Sequence, residues 1–206
     1  SSININQAER LIRVIDLAGS KPFIRLSGHD AAQIKRVLDA GAKGILAPMI
    51  ETTNQMEKVI SACRYPPLGS RGMGLARAQG YGENLTKNDY ILNRVHDIEI
   101  YAQIESMKGV KNCKEIFSQG IKGYFIGPYD LSASLNNPGI FDSEEFLEAE
   151  KKILSSAKEE GIRRGYHLVE PEPNQIKTLQ ARGYDMIAFS VDIRMLDIVA
   201  RLPFNN

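Results

Sequence analysis

The chain has 206 residues, 26 lysines and arginines against 25 acidic side chains, and a hydrophobic share of 43%. That balance suits one domain over residues 1–206 with a sizeable core, and it offers no electrostatic footprint for nucleic acid or an anionic membrane. No apolar run approaches the roughly 20 residues that span a bilayer, and Ser1-Ser-Ile-Asn-Ile-Asn lacks both regions of a signal peptide. Cys63 and Cys113 read as free buried thiols of a cytoplasmic protein rather than a disulfide framework.

In chain order, residues 6–17 carry apolar positions at Leu11, Ile12, Val14 and Ile15 and predict a helix. A strand is expected at 21–26, a helix at 30–40 stopped by Gly41, a strand at 44–49 and a helix from about 53 to 63. Beyond a long Pro/Gly loop come a strand at 98–104, a helix at 110–119, a strand at 123–127 and a helix at 143–160. The chain closes with a strand at 165–169, a helix at 173–181, a strand at 186–191 and a helix through Arg201.

Strand–helix alternation implies a parallel sheet covered by helices. The Gly-x-Gly-x-x-Gly fingerprint of an open dinucleotide-binding sheet is missing, since Gly72-Met-Gly74 lies well past its strand. Polar residues gather where strands end, at Arg25, Gln103, Glu105, Asp130, Glu170 and Asp192, which is where a (β/α)₈ TIM barrel carries its chemistry. The expected fold is therefore an α/β barrel. Six units fall short of eight, and residues 6–17 form a helix with no strand before it, so strand 1, helix 1 and strand 2 are expected to be missing. A rearranged six-stranded domain is the alternative.

Ile98 to Glu105 alternates so that Ile98, Ile100, Ala102 and Ile104 face the helices, while Gln103 and Glu105 face the lumen at the catalytic end. A buried carboxylate there calls for a cation or a metal; a solvated place on the loop rim is the plainer reading. Asp130 ends the neighbouring unit, and two such carboxylates suit one hard divalent ion, although Asp130 alone also suits a turn cap. Arg25 at its strand end needs an anion, either on a substrate or on Glu105 or Asp130.

No lysine ends a strand, which disfavours a Schiff-base mechanism, and no glycine-rich phosphate cup follows the last two strands. His29 reads as a helix-start residue, His96 precedes a strand at the wrong end, and His167 reads as a satisfied mid-strand core histidine. No Cys/His spacing suggests zinc.

The runs Arg64-Tyr-Pro-Pro-Leu-Gly-Ser-Arg-Gly72, Ala102-Gln-Ile-Glu105 and Phe125-Ile-Gly-Pro-Tyr-Asp-Leu-Ser132 resemble the class II 2-oxo-acid aldolases of the HpcH/HpaI aldolase/citrate lyase family. Gln33-Ile-Lys-Arg-Val-Leu-Asp-Ala-Gly41 is similar too. The resemblance implies Mg²⁺ or Mn²⁺, with Co²⁺ a further candidate, held by Glu105 and Asp130. It implies that Gln103 and the backbone around Tyr129 and Asp130 contact a 2-oxo acid, that Arg25 stabilises an enolate, and that Asp39 supports a catalytic histidine. Hexameric assembly is implied as well. The implied activity is reversible cleavage of a 4-hydroxy-2-oxo acid to pyruvate and an aldehyde. A lyase acting on a coenzyme A thioester and a non-catalytic truncated barrel are the alternatives. By this alignment the family's catalytic histidine falls immediately before Ser1. Tyr129 stands where several members have a smaller residue, and His167 with Glu170 departs from the best-known dicarboxylate-degrading members.

Overall fold

The computed structural model describes residues 3–83 and 97–204, which leaves Ser1 and His96 outside the described residues. Six parallel strands, β1 (Phe23–Arg25), β2 (Gly44–Ala47), β3 (Glu99–Ile104), β4 (Gly123–Ile126), β5 (Arg163–Leu168) and β6 (Met186–Phe189), form one sheet in sequence order. Each adjacent pair is parallel, as expected for right-handed βα crossovers. Among the described residues β1 and β6 do not pair with each other, so the sheet has two edges. The expected six units are all present. Eight-stranded closure is not shown by these strands.

Helices α1 (Ile5–Leu17), α2 (Ala31–Asp39) and α3 (Thr53–Cys63) start where side chains satisfy the free first-turn N–H groups. Asn4 with Gln7 and Thr52 with Gln55 make capping boxes, and Asp30 accepts from Gln33 N. The helix expected at 110–119 begins earlier, because Ser106 accepts from Gly109 N, and divides at Asn112 into α4 (Met107–Lys111) and α5 (Cys113–Phe117). An unforeseen helix, α6 (Pro128–Ser134), starts directly after β4, with Pro128 in its first turn. Then follow α7 (Glu144–Glu159), α8 (Pro173–Ala181) and α9 (Asp192–Arg201).

One hydrophobic core lies between sheet and helices. Ile45, Ala47, Ile100, Ala102, Ile104, Tyr124 and Ile126 point outward into it and meet Ile34, Leu38, Met56, Val59, Ile116 and Phe146. The other face carries Phe23, Tyr101 and Phe125, whose rings meet at centroid distances of 5.7 and 5.8 Å and close the lower lumen. Both cysteines are free and buried, and burial pushes the Cys63 thiol up to about 12.

A buried polar cluster locks α7 to the connection between α8 and β6. Glu150, only 4% exposed, accepts the Tyr184 hydroxyl at 2.7 Å and pairs with Arg182. Tyr184→Phe removes one hydrogen bond to a buried charge, so unfolding free energy is expected to fall by about 1.5–3 kcal/mol. Urea titration with an unchanged midpoint would show that this bond contributes nothing.

Candidate active site

Strand alternation brings one interior side chain from each strand to a shared cavity of about 470 Å³: Arg25 from β1, Leu46 from β2, Gln103 from β3, Phe125 from β4, His167 from β5 and Ala188 from β6. Glu105, Gly127, Pro128, Tyr129 and Asp130, from the segments just beyond β3 and β4, complete its wall. The structure thus gathers Arg25, Gln103, Glu105, Tyr129 and Asp130, which lie up to about a hundred residues apart in sequence, round one space.

Glu105 is 5% exposed, which removes the reading of a solvated rim residue. Its Oε2 accepts the Met49 backbone N–H at 2.8 Å. Met49 itself lies in the left-handed region at φ 48°, a strained conformation for a non-glycine residue. Burial pushes the Glu105 carboxyl up; the Met49 N–H and the positive charge of Arg25 oppose that, while the neighbouring Asp130 carboxylate reinforces it. Two carboxylates therefore face each other in a site that wants positive charge.

Gly127 makes room for the Glu105 and Gln103 side chains. A Cβ there would stand 2.5 Å from Glu105 Oε1 and 3.0 Å from Gln103 Nε2. Gln103 is itself 5% exposed, and its Oε1 has no hydrogen-bond partner among the described residues. Arg25 reaches only the Leu26 carbonyl, at 3.4 Å, and makes no ion pair among the described residues. Its guanidinium fork stays available to an anion in the cavity. Tyr129 is half exposed, with its ring edge-on to Phe141 at 5.1 Å.

Four polar residues noted from the sequence lie elsewhere. Glu170 pairs with Arg194, Asp192 opens α9, and the His29 ring meets the Pro48 carbonyl. Asp39, at the end of α2, does not line this cavity. It accepts from Arg71 at 2.7 Å, from Gln79 at 3.0 Å and from Lys35, while Arg71 lies over the Tyr65 ring at 4.8 Å.

A residue that sequence reasoning set aside belongs to the site. His167, taken for a core histidine, lines the cavity. The signal that would have found it is parity: it shares an interior face with Gly165 on a strand aligned with β4.

With this geometry in place, comparison with known proteins is informative. The model of the HpcH/HpaI aldolase/citrate lyase family matches residues 3–197. The chain belongs to that family. It is 33% identical over 205 residues to a hydroxypyruvate/pyruvate aldolase of Rhizorhabdus wittichii, covering 98% of this chain and 79% of the relative. It is 38% identical over 176 residues to a 2-keto-3-deoxy-L-rhamnonate aldolase of Salmonella gallinarum, covering 84% of this chain and 64% of that relative. Thus the chain spans less than two thirds of the second relative's length. An HpcH/HpaI aldolase from Desulfitobacterium hafniense superposes with a TM-score of 0.89 at 26% identity, over 99% of this chain and 78% of that one. A family protein from Burkholderia cenocepacia gives 0.88 at 27% identity, over 98% and 79%. Among the described residues, no helix is long and apolar enough to cross a membrane.

The Asp39 cluster makes a pH prediction. Burial pushes the Asp39 carboxyl up, but hydrogen bonds from Arg71, Lys35 and Gln79 outweigh it and hold the group below its ordinary value of 3.8. A folded value below the unfolded one stabilises the fold above pH 3.8, and that contribution is lost as pH falls through the lower folded value. Asp39→Asn should therefore destabilise the protein at pH 7, and the gap to the wild type should narrow at low pH. Urea midpoints of both proteins across that range check this; a constant gap would contradict it.

Proposed function

We propose that this chain is a divalent-metal-dependent aldolase that reversibly cleaves a 4-hydroxy-2-oxo acid to pyruvate and an aldehyde. The observation that carries the reading is the convergence of Arg25, Gln103, Glu105 and Asp130 on one cavity, in a chain whose relatives are named aldolases. An eight-stranded barrel, with two further strands between β6 and β1, is the architecture this reading expects.

The residues present fit a hard divalent ion. Glu105 and Asp130 face each other and offer oxygen donors, and Gln103 with its unpartnered Oε1 lines the same cavity. Glu105 and Asp130 would hold Mg²⁺, Mn²⁺ or Co²⁺. When bound, the ion supplies a Lewis acid and a template for the carboxylate and 2-oxo group of the substrate.

The remaining work falls to the protein. Arg25 offers its fork to the C2 oxygen, where negative charge grows as the C3–C4 bond breaks. That charge develops in the transition state, so its stabilisation raises turnover rather than only affinity. Gln103 orients the 2-oxo acid. Tyr129 and Asp130 stand in the first turn of α6, where backbone N–H groups have no acceptor inside the helix and are free for the substrate carboxylate. Leu46, Phe125 and Val169 give the cavity apolar walls. By the family resemblance, the proton of the C4 hydroxyl goes to a histidine whose basicity Asp39 supports.

Homo-oligomeric assembly, a hexamer by the same resemblance, is part of the reading.

Arg25→Lys replaces the fork by a point charge, and a drop in kcat of about 10²–10³-fold with an unchanged melting temperature is expected. The assay is pyruvate release from 4-hydroxy-2-oxopentanoate in the presence of Mn²⁺. Near-normal turnover with a lowered melting temperature would make Arg25 a structural residue.

A further inference from the structure

The cavity has two chemically different sides. Arg25, Gln103, Glu105 and Asp130 lie on the β1, β3 and β4 side. The β5–β6 side contributes His167, Val169 and Ala188, so His167 is its single polar side chain among the described residues.

Strand register explains why the imidazole stands clear. Ile104 is level with Ile126, Ile126 with Tyr166, and His167 with Ala188. One step further along, Glu105, Gly127, His167 and Ala188 share an interior rung, a ladder continued by Gly127 N–H donating to the Ile104 carbonyl at 3.4 Å. Parallel strands are about 4.8 Å apart, so the Glu105 and His167 backbones are separated by roughly 10 Å. Between them is only Gly127, and beyond His167 only Ala188. Nothing on the rung fills the gap between carboxylate and imidazole. A molecule held at Glu105, Asp130 and Arg25 by one end extends across bare Gly127 towards His167.

The His167 ring is half-buried. Burial and the positive charge of Arg25 push its pKa down, and a hydrogen bond to the Ser190 backbone opposes them. A neutral imidazole that donates one N–H to a carbonyl leaves its other nitrogen as an acceptor. An acceptor facing a half-apolar wall recognises a hydroxyl, and rejects an analogue without one because it is then left unpaired.

We propose that His167 positions the aldehyde half of the substrate by accepting a hydrogen bond from a hydroxyl on it, so that the site prefers hydroxyaldehydes to their deoxy counterparts. This deepens, and rests on, the aldolase reading above. His167 is a positioning and specificity residue, while bond cleavage belongs to the opposite side of the cavity.

The test compares kcat and KM for addition of pyruvate to glycolaldehyde and to acetaldehyde, in the presence of Mn²⁺. In the wild type glycolaldehyde is favoured. His167→Leu should lower that preference about tenfold, mainly through KM for glycolaldehyde, and His167→Gln, whose amide keeps an acceptor, should recover part of it. An unchanged ratio in His167→Leu overturns the proposal. So does an equal loss with both aldehydes, the pattern of a purely structural role. Exchange of pyruvate C3 protons with D₂O, followed by NMR on the wild type without aldehyde, separates the two readings. No exchange removes the aldolase reading and this proposal with it; exchange with an unchanged aldehyde ratio removes the role of His167 alone.

Discussion

A carboxylate that is 5% exposed has to be compensated, and Glu105 sets the terms on which the rest of the site is built. The Met49 N–H and the charge of Arg25 supply part of that compensation, but Asp130 works against it. An unpaired buried charge is costly by several kcal/mol, and a second carboxylate beside it raises that cost. The arrangement supports the proposed cation site. Met49, whose N–H Glu105 accepts, is itself in the left-handed region at φ 48°, which costs about 1–3 kcal/mol.

Close approach is the second constraint. Gly127 has no side chain where Glu105 and Gln103 need to lie, and the same bareness opens the path across the rung to His167. One glycine thus serves both halves of the proposed substrate: it lets the charged group form on one side and keeps the lumen open towards β5. The aromatic floor of Phe23, Tyr101 and Phe125 lies below the cavity, at the end of the sheet opposite to α6.

Much of this was legible in the sequence because it depends on period and order. The alternation in 98–105 placed Gln103 and Glu105 inward, and strand–helix alternation put Arg25 and Asp130 at the same end of the sheet. Packing decided the rest. His167 looked like core because a mid-strand histidine carries no sign of its neighbours, and only the register shows Gly127 and Ala188 beside it. Helix α6 was hidden because Gly127-Pro128 reads as a turn, whereas the proline instead occupies the first helical turn. The division at Asn112 has no periodic signature. Asp39 illustrates the opposite case: the role proposed for it comes from family resemblance alone, while its contacts here are to Arg71, Lys35 and Gln79 at the far end of α2.

The central claim is that Glu105 and Asp130 together form a divalent-ion site. Isothermal titration of Mn²⁺ into the wild type and into Glu105→Ala and Asp130→Ala, each checked for folding by its melting transition, tests it most directly. The account predicts one ion per chain for the wild type and no measurable binding once either carboxylate is removed, because the remaining one holds the ion too weakly. Unchanged Mn²⁺ affinity in both variants would contradict it.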